Sequence, residues 1–357
     1  MRPAVKRLGI LATVILCGCS ASPPPAAPAP ERDDAPVGAA LQAEGYAALF
    51  DAAALLGTPK DVDCTLSDGS ASRCLSVTLA PAPSDFTIGP WCPRNIDDGP
   101  DVSGIWLDNG KVYDADGTFI QNLAGFYDDP TWQMFDPLTG RINVTDTQVA
   151  CEAAARPDVD PQYQNHCVEC EISYLPEGSS QTYILPLDPR LADSPTPLGR
   201  SPAGVAFSGV RLEGPAPVDA ILAAHTLAPF DDCGGHVNTA VGYHIHAVTE
   251  DCLRSEPSAD GHAAMIGLAL DGFPIHEQLD AAGNTAGGLD ACSGHEGPDG
   301  YHYHAGAPGE NAILGCHSGP VGCALGSPDA VCDASAATTR RPPPGRRPPL
   351  GADPRPE

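Results

Sequence analysis

The chain has 357 residues and a formal net charge of −27, from 46 acidic and 19 basic side chains. A surface this acidic repels nucleic-acid phosphates and attracts cations, so we expect no nucleic-acid partner. The 38 glycines and 39 prolines favour a loop-rich β architecture over a helical bundle. The length permits one large domain or two small ones.

The N-terminal segment, residues 1–19, has the order of a secretory signal peptide. Three basic side chains come before or at the start of an apolar run over residues 8–16, which is too short to span a bilayer as a permanent helix. The segment ends in Cys-Gly-Cys, which resembles a bacterial lipobox and implies that Cys19 is lipidated. Ser20, by resemblance to Gram-negative lipoproteins, implies the outer membrane. We therefore expect a lipid-anchored cell-envelope protein, on the periplasmic face or the surface.

Two segments of distinct composition follow, and a third closes the chain. Residues 20–38 are rich in proline and alanine with few core-forming side chains, which predicts a semi-extended tether. Residues 39–58 are rich in alanine and leucine, and Gly57 is a helix stop signal. The pattern predicts a helix that docks on the domain. Residues 333–357 are rich in proline and arginine and predict a disordered tail.

Between these ends, short β-prone runs are separated by Gly, Pro, Asn and Asp, as is typical of all-β domains. The predicted strands cover residues 74–79, 105–107, 111–113, 118–120, 181–185, 204–210 and 265–270, with a short helix within 146–156. We therefore predict a mainly β fold. It is a single loop-rich domain, sandwich-like or barrel-like, cross-linked by disulfides and preceded by one short N-terminal helix.

The segment from Asp231 to His317 contains one motif twice. Both copies carry Cys-x-Gly-His, a short spacer and Gly-Tyr-His-x-His-Ala, so six of the eleven histidines occupy equivalent positions. Alternate residues of a strand leave the same face, so the two imidazoles of each Tyr-His-x-His can approach one cation. The preceding Gly-His lies across a turn and can add a third nitrogen. The predicted metal ligands are His236, His244 and His246 in the first copy, and His295, His302 and His304 in the second.

Three imidazoles with an open fourth position are typical of a catalytic zinc site, and imidazole also suits copper, nickel and iron. With only three methionines in the chain, Cu(I) binding by thioether clusters is disfavoured, so we predict zinc or Cu(II). Two alternatives stay open. The rings can be hydrogen-bonded core residues, or both copies can form one composite site at a pseudo-twofold axis.

These motifs resemble the YHYH family, which is named for the tetrapeptide found here at residues 301–304, with a degenerate copy at residues 243–246. Further segments that resemble the family are residues 88–93, 232–236, 267–275 and 313–316. The resemblance places the YHYH domain at residues 59–332 and implies no known reaction. The sequence departs from the family pattern at Ile245, where the second aromatic is lost, and at His276, where the pattern has Tyr.

The cysteine count favours a disulfide framework. Of fourteen cysteines, Cys17 leaves with the signal peptide and Cys19 carries the lipid, which leaves twelve. An even set in an exported protein predicts up to six disulfides. The symmetry of the two motif copies predicts the pairs Cys233 with Cys252 and Cys292 with Cys316. Zinc ligation by the Cys-x-x-His of the first copy, or a redox or metal role for Cys167 and Cys170, is the alternative.

Three function classes fit these features. The first is a metal-binding envelope lipoprotein that captures or handles a divalent transition metal. The second is a metal-dependent enzyme with a three-His open site, in which Glu250, Glu296 or Asp299 acts as the base. The third is a module that binds a polysaccharide or another protein, with structural histidines and the three tryptophans as stacking surfaces.

Overall fold

The computed structural model describes residues 43–83, 86–156, 158–199, 201–249, 252–253 and 261–336. The predicted signal peptide with Cys19, the tether and most of the C-terminal tail lie outside these ranges. The described residues form a mostly β structure, as predicted from the sequence. None of the helices in this part of the chain combines the length and the apolar character that crossing a membrane requires.

The helices are short and few within the described ranges. They are α1 (Ala43–Ala47), α2 (Gly117–Phe126), α3 (Gln148–Ala154) and α4 (Val218–Ala223). The strands are β1 (Lys60–Thr65), β2 (Ala71–Leu79), β3 (Ile105–Asp108), β4 (Lys111–Asp114), β5 (His166–Cys167), β6 (Gln181–Pro186), β7 (Gly204–Ala206), β8 (Arg211–Leu212), β9 (Thr226–Leu227), β10 (Gly235–Asn238), β11 (Gly242–Ile245), β12 (Met265–Ala269), β13 (Pro274–His276), β14 (Gly294–Gly297), β15 (Gly300–His304) and β16 (Cys323–Leu325). Single 3₁₀ turns lie at Pro100–Val102, Pro161–Tyr163, Ile172–Tyr174 and Pro308–Glu310.

The largest sheet has eight strands in the order β10-β11-β8-β7-β12-β13-β15-β14. Each half begins at its edge with an antiparallel hairpin, continues with a parallel pair and ends with an antiparallel pair. The two halves meet where β7 pairs antiparallel with β12. This order has pseudo-twofold symmetry, so the duplication includes the strands as well as the histidine hairpins.

The extended duplication is also visible in the sequence once the sheet is known. Residues 204–213 read Gly-Val-Ala-Phe-Ser-Gly-Val-Arg-Leu-Glu, and residues 267–276 read Gly-Leu-Ala-Leu-Asp-Gly-Phe-Pro-Ile-His. At the junction of the halves, a Cβ atom on Gly204 or Gly267 would collide with a backbone carbonyl of the other strand. Glycine at these two positions therefore lets β7 and β12 pair.

A second sheet, in the order β1-β2-β6-β16, packs against the centre of the eight-stranded sheet. The shared core contains Val77 and Tyr183 from the smaller sheet, and Val205 and Leu268 from the larger one. The described residues therefore form a two-layer, sandwich-like arrangement. Both sheets are open at their edges, so the barrel-like alternative is wrong for the described part of the chain.

A third group of elements packs beside the first histidine motif. The β3–β4 hairpin and α2 share a core with Phe230, and Trp106 stacks on that ring with 6.0 Å between the ring centroids. Phe230 in turn lies beside the rings of His236 and His246. The β3–β4 hairpin and α2 are therefore linked through Phe230 to the first histidine motif.

Two predicted elements differ in the structure. The helix predicted over residues 39–58 is helical only at Ala43–Ala47 within the described residues. Beyond it the chain turns so that Phe50 and Ala54 enter the core, because burial against the sheet outweighs helix propensity. The strand predicted at residues 118–120 lies in α2, where the Asp116 side chain accepts the Phe119 N–H at 2.8 Å and caps the helix.

Six disulfides use all twelve cysteines of the described residues. The pairs are Cys64–Cys74, Cys92–Cys167, Cys151–Cys170, Cys233–Cys252, Cys292–Cys316 and Cys323–Cys332, which include both pairs predicted from the motif symmetry. Cys167 and Cys170 have different partners, so they do not form a redox or metal pair. Cys233 is likewise unavailable as a thiolate ligand.

Candidate metal centres

Each histidine motif is a hairpin held by one aspartate. The Asp231 carboxylate accepts the N–H groups of Cys233 and Gly235 and the Tyr243 hydroxyl, at 3.1, 3.0 and 2.9 Å. Asp290 makes the corresponding bonds in the second copy, including one from the Tyr301 hydroxyl at 2.8 Å. The tyrosine of each motif therefore fastens the hairpin rather than binding a ligand. Asp231, and not its neighbour Asp232, is therefore the structural equivalent of Asp290.

The glycine before the first histidine of each motif is required by this tyrosine. A Cβ atom on Gly235 would collide with the Tyr243 hydroxyl, and one on Gly294 would collide with that of Tyr301. The hairpin can close over the tyrosine only where the side chain is a hydrogen. The Gly-His…Tyr pattern thus lets the tyrosine pack against the glycine, which brings the two strands and their histidines together.

The first cluster consists of the three histidines predicted from the first copy. His236 on β10 lies directly across from His244 on β11, and His246 follows the end of β11. The three ring centroids lie 4.7, 5.0 and 5.1 Å apart, and one nitrogen from each ring lies within 4.8 Å of the others. The three imidazoles converge closely enough to bind one metal ion.

Backbone carbonyls determine which ring nitrogen carries the proton. His246 Nδ1 lies 2.6 Å from the Gly214 carbonyl oxygen, and His244 Nδ1 lies 3.1 Å from that of Gly242. A carbonyl oxygen only accepts, so each Nδ1 must donate and each neutral Nε2 keeps a lone pair. The His236 ring is hydrogen-bonded to the backbone at Pro229 and Ala228. A carbonyl bond to the far nitrogen is how proteins orient metal-binding histidines.

The second cluster has four histidines, one more than predicted. His295 on β14 lies across from His302 on β15, and His304 lies on the same face two residues later. His262, from the loop before β12, joins them with its ring centroid 4.9 Å from that of His302 and 5.0 Å from that of His304. One nitrogen from each of the four rings lies within 4.8 Å of the others.

All four rings of the second cluster place Nδ1 against a backbone carbonyl. The bonds run from His262 to Ala263, from His295 to Gly287, from His302 to Gly300 and from His304 to Glu277, at 3.0 to 3.1 Å. His302 and His304 use carbonyls equivalent to those used by His244 and His246. The orientation of the strand histidines is therefore duplicated along with their positions.

The Nε2 atoms of the second cluster face each other without a donor between them. His302 Nε2 lies 3.0 Å from His295 Nε2 and 3.2 Å from His262 Nε2. His304 Nε2 is buried and has no hydrogen-bond partner among the described residues. With the Nδ1 atoms protonated, these contacts bring lone pair against lone pair. A cation at their centre would satisfy all four nitrogens, whereas a purely structural role would leave them in conflict.

Burial favours the neutral form of His236, His244 and His304. Desolvation, followed by the neighbouring His246, lowers the pKa of His236 to about 3. Desolvation lowers the pKa of His244 well below its usual value and that of His304 to about 4. Because a metal binds only the neutral ring, these shifts favour metal binding over protonation at neutral pH.

Two histidines near the second cluster were not predicted as ligands. His262 has no counterpart in the first copy and joins only through the fold. His276 donates from Nδ1 to the Ala263 carbonyl at 2.7 Å, and its ring centroid lies 4.7 Å from that of His302. Glu213 occupies the matching position in the first half, as the alignment of residues 204–213 with residues 267–276 shows.

The acidic bases predicted from sequence spacing do not join either cluster. Glu296 and Asp299 are exposed, and neither belongs to a group of converging ligands among the described residues. Glu296 lies next to His295 on a strand, so its side chain leaves the opposite face. Glu250 lies outside the described residues. A role as general base for Glu250, Glu296 or Asp299 stays a prediction.

The two clusters are separate sites. Five steps between neighbouring strands separate β11 from β15 in the eight-stranded sheet. At about 4.8 Å per step, the distance is roughly 24 Å, so a single composite site is excluded.

The first cluster opens on a cavity of about 350 Å³. Most of its wall is apolar, with Trp91, Val159 and Ile221 among the lining side chains, and Glu213 lies in the wall beside the three histidines. Trp106 and Trp132 are 0 % and 7 % exposed, so they offer no surface for stacking a sugar. Trp106 and Trp132 therefore do not support polysaccharide binding.

Comparison with known families gives a match that includes the first motif copy and ends before the second. Residues 182–287 match the family model described as YHYH protein. Residues 182–287 therefore carry a YHYH domain. The matched segment runs from β6 to beyond β13 and contains the whole first cluster together with His262 and His276. No curated protein and no solved structure matches the chain.

Proposed function

We propose that this chain is an envelope-anchored YHYH protein that binds divalent transition-metal ions, zinc or copper, at its two histidine clusters. The observation that carries the proposal is the orientation of the rings. Backbone carbonyls hold the Nδ1 protons, and the Nε2 lone pairs converge at two points of the YHYH domain.

The ligand type favours zinc or copper over other metals. Imidazole nitrogens suit zinc and Cu(II), whereas calcium and magnesium prefer oxygen ligands. The disulfides consume the cysteines of the described residues, so thiolate ligation does not contribute. The acidic net charge of −27 raises the local concentration of cations near the surface.

Metal titration of the purified, chelator-treated protein tests this function. We expect calorimetry with Zn²⁺ or Cu²⁺ to give two bound equivalents. His244→Ala should remove the first equivalent and His302→Ala the second, because each variant deletes a central ligand. His166→Gln, which changes a histidine outside both clusters, should bind both. A protein with native circular dichroism that binds neither ion would contradict the proposal.

The envelope location is a separate part of the proposal. Its support is the lipobox-like sequence at Cys19 together with six disulfides, which require an oxidising compartment to persist. We expect the wild type to incorporate radiolabelled palmitate and to fractionate with the outer membrane. Cys19→Ala should lose both properties after processing. A processed Cys19→Ala variant that stayed in the membrane fraction would refute lipid anchoring.

A metal-dependent enzyme is the second candidate function, and one observation favours it. The first cluster has three imidazoles and opens on a cavity, as catalytic zinc sites do. Hydrolysis of generic nitrophenyl esters and phosphates by the zinc-loaded protein, lost in His246→Ala and kept in His304→Ala, would support it. Turnover that is equal in the two variants would assign any activity to another source.

A further inference from the structure

The two halves of the YHYH domain have the same ligand hairpin but differ at the fourth coordination position. In the second half, His262 supplies a fourth converging nitrogen. In the first half, the group contains three imidazoles among the described residues. Zinc and Cu(II) take at least four ligands, so a metal held at the first cluster would have a position for a further donor.

The space beside the first cluster is built by elements that have no counterpart in the second half. The cavity wall includes Ala155 and Val159, after α3, and Ala220 and Ile221 on α4. Trp91 lines the same space and is anchored by its Nε1–H, which donates to the Gly235 carbonyl at 3.0 Å. The cavity falls within the size range of small-molecule sites, which are mostly apolar with a few polar groups.

The charged side chains of the wall are all neutralised within the protein. Glu213 pairs with Arg211 at 2.6 Å, and Arg156 pairs with Asp158 at 2.6 Å. Glu169, the third charged lining residue, pairs with Arg94. With each charge already compensated, the wall offers no unpaired partner to an ionic ligand. An apolar, uncharged body fits it better.

We propose that the metal ion of the first cluster binds a small neutral molecule from this cavity. The molecule coordinates through a nitrogen or oxygen lone pair and places an apolar body against Trp91, Val159 and Ile221. The four-imidazole second cluster binds no such molecule. This inference rests on the proposed metal-binding function and adds a ligand class to one of its two sites.

Cobalt-loaded full-length protein provides the test, because the visible spectrum of Co²⁺ changes when a ligand is added or exchanged. The probe is 4-phenylimidazole, which joins a neutral nitrogen donor to an apolar ring. We expect saturable spectral changes in wild type, with at least tenfold tighter binding than for imidazole. 4-(Imidazol-4-yl)benzoate, which adds a carboxylate, should bind at least tenfold more weakly than 4-phenylimidazole.

Matched variants assign the response to the cavity. Ala220→Trp fills the cavity from an exposed position of α4 and should weaken 4-phenylimidazole at least tenfold while both Co²⁺ equivalents remain bound. Ala223→Trp, on the same helix but not in the cavity wall, should behave as wild type. His304→Ala should keep the response, and His246→Ala should lose it together with one Co²⁺.

The outcomes separate this inference from the proposed function. Protein that binds no Co²⁺ defeats the metal-binding function itself. Protein that binds two Co²⁺ equivalents but shows no response to 4-phenylimidazole overturns only the ligand inference. A response that persists in Ala220→Trp or in His246→Ala also overturns it, because the ligand would then bind elsewhere.

Discussion

The two halves of the eight-stranded sheet have the same backbone plan and different sites. Each half has a hairpin fastened by a Tyr–Asp hydrogen bond, and each hairpin brings three imidazoles together. The second half adds His262 from a loop, whereas the first adds a cavity whose wall comes from α3, α4 and Trp91. Duplication of a hairpin therefore duplicates a ligand set, while the surrounding chain determines how many ligands complete it and what else can bind.

Metal stabilisation is the largest effect that can test this comparison. An ion present at 1,000 times its Kd raises the free energy of unfolding by about 4 kcal/mol per site. We expect Zn²⁺ to raise the midpoint temperature of wild-type unfolding. His304→Ala should reduce this increase more than His246→Ala does. The reason is that the second site has four protein ligands. Calorimetric scans with zinc and with EDTA measure the stabilisation. Identical wild-type scans under the two conditions would contradict the prediction.

Crowding at the hairpin glycines should have the next largest effect. Gly294→Ala and Gly235→Ala push a methyl group into the tyrosine hydroxyl and should each cost about 1–3 kcal/mol in denaturant unfolding. Gly125→Ala, in α2 with open space around it, is the control and should be neutral or stabilising. If the two hairpin variants unfolded like the control, the tyrosine would not determine the hairpin geometry.

Loss of the tyrosine hydroxyl should cost less. Tyr243→Phe leaves the buried Asp231 carboxylate with one fewer donor, which is worth about 1–2 kcal/mol. Tyr301→Phe removes the bond to Asp290 and also a 2.7 Å bond to Ser318, so it should be at least as costly. Urea unfolding of the two apo variants compares the halves. A Tyr301→Phe cost below that of Tyr243→Phe would break the expected order.

Acidification to pH 5.5 should have the smallest effect on metal affinity. The prediction concerns the first cluster, where the pKa values of all three ligands are lowered. Burial lowers the pKa of His236 to about 3 and lowers those of His244 and His246. Rings with lowered pKa stay neutral as the pH falls through 6.5, so metal affinity should change little between pH 7.5 and 5.5. Imidazoles with an ordinary pKa near 6.5 would lose about tenfold per ring. Competition titrations of His302→Ala, which keeps only the first site, distinguish the two cases.

Several features could be predicted from the sequence because they depend on local geometry. The period of two along a strand predicts that His302 and His304 share a face, and the repeated motif predicts an equivalent set and the two disulfides that close the hairpins. The prediction of a strand at residues 118–120 was wrong, because Asp116 caps a helix that includes this β-prone segment. The signal peptide, the lipid anchor and most of the tail lie outside the described residues and stay predictions.

The sequence by itself determined the repeated imidazole pairs, the twelve cysteines and the mostly β texture, since these follow from residue type and short-range spacing. Only the tertiary structure decided that the two clusters lie far apart, that His262 completes one of them and that a cavity adjoins the other. The physical reason is that these features arise from contacts between residues distant in the chain. The pairing of β7 with β12 and the packing of α3 and α4 over one half have no local pattern that would reveal them.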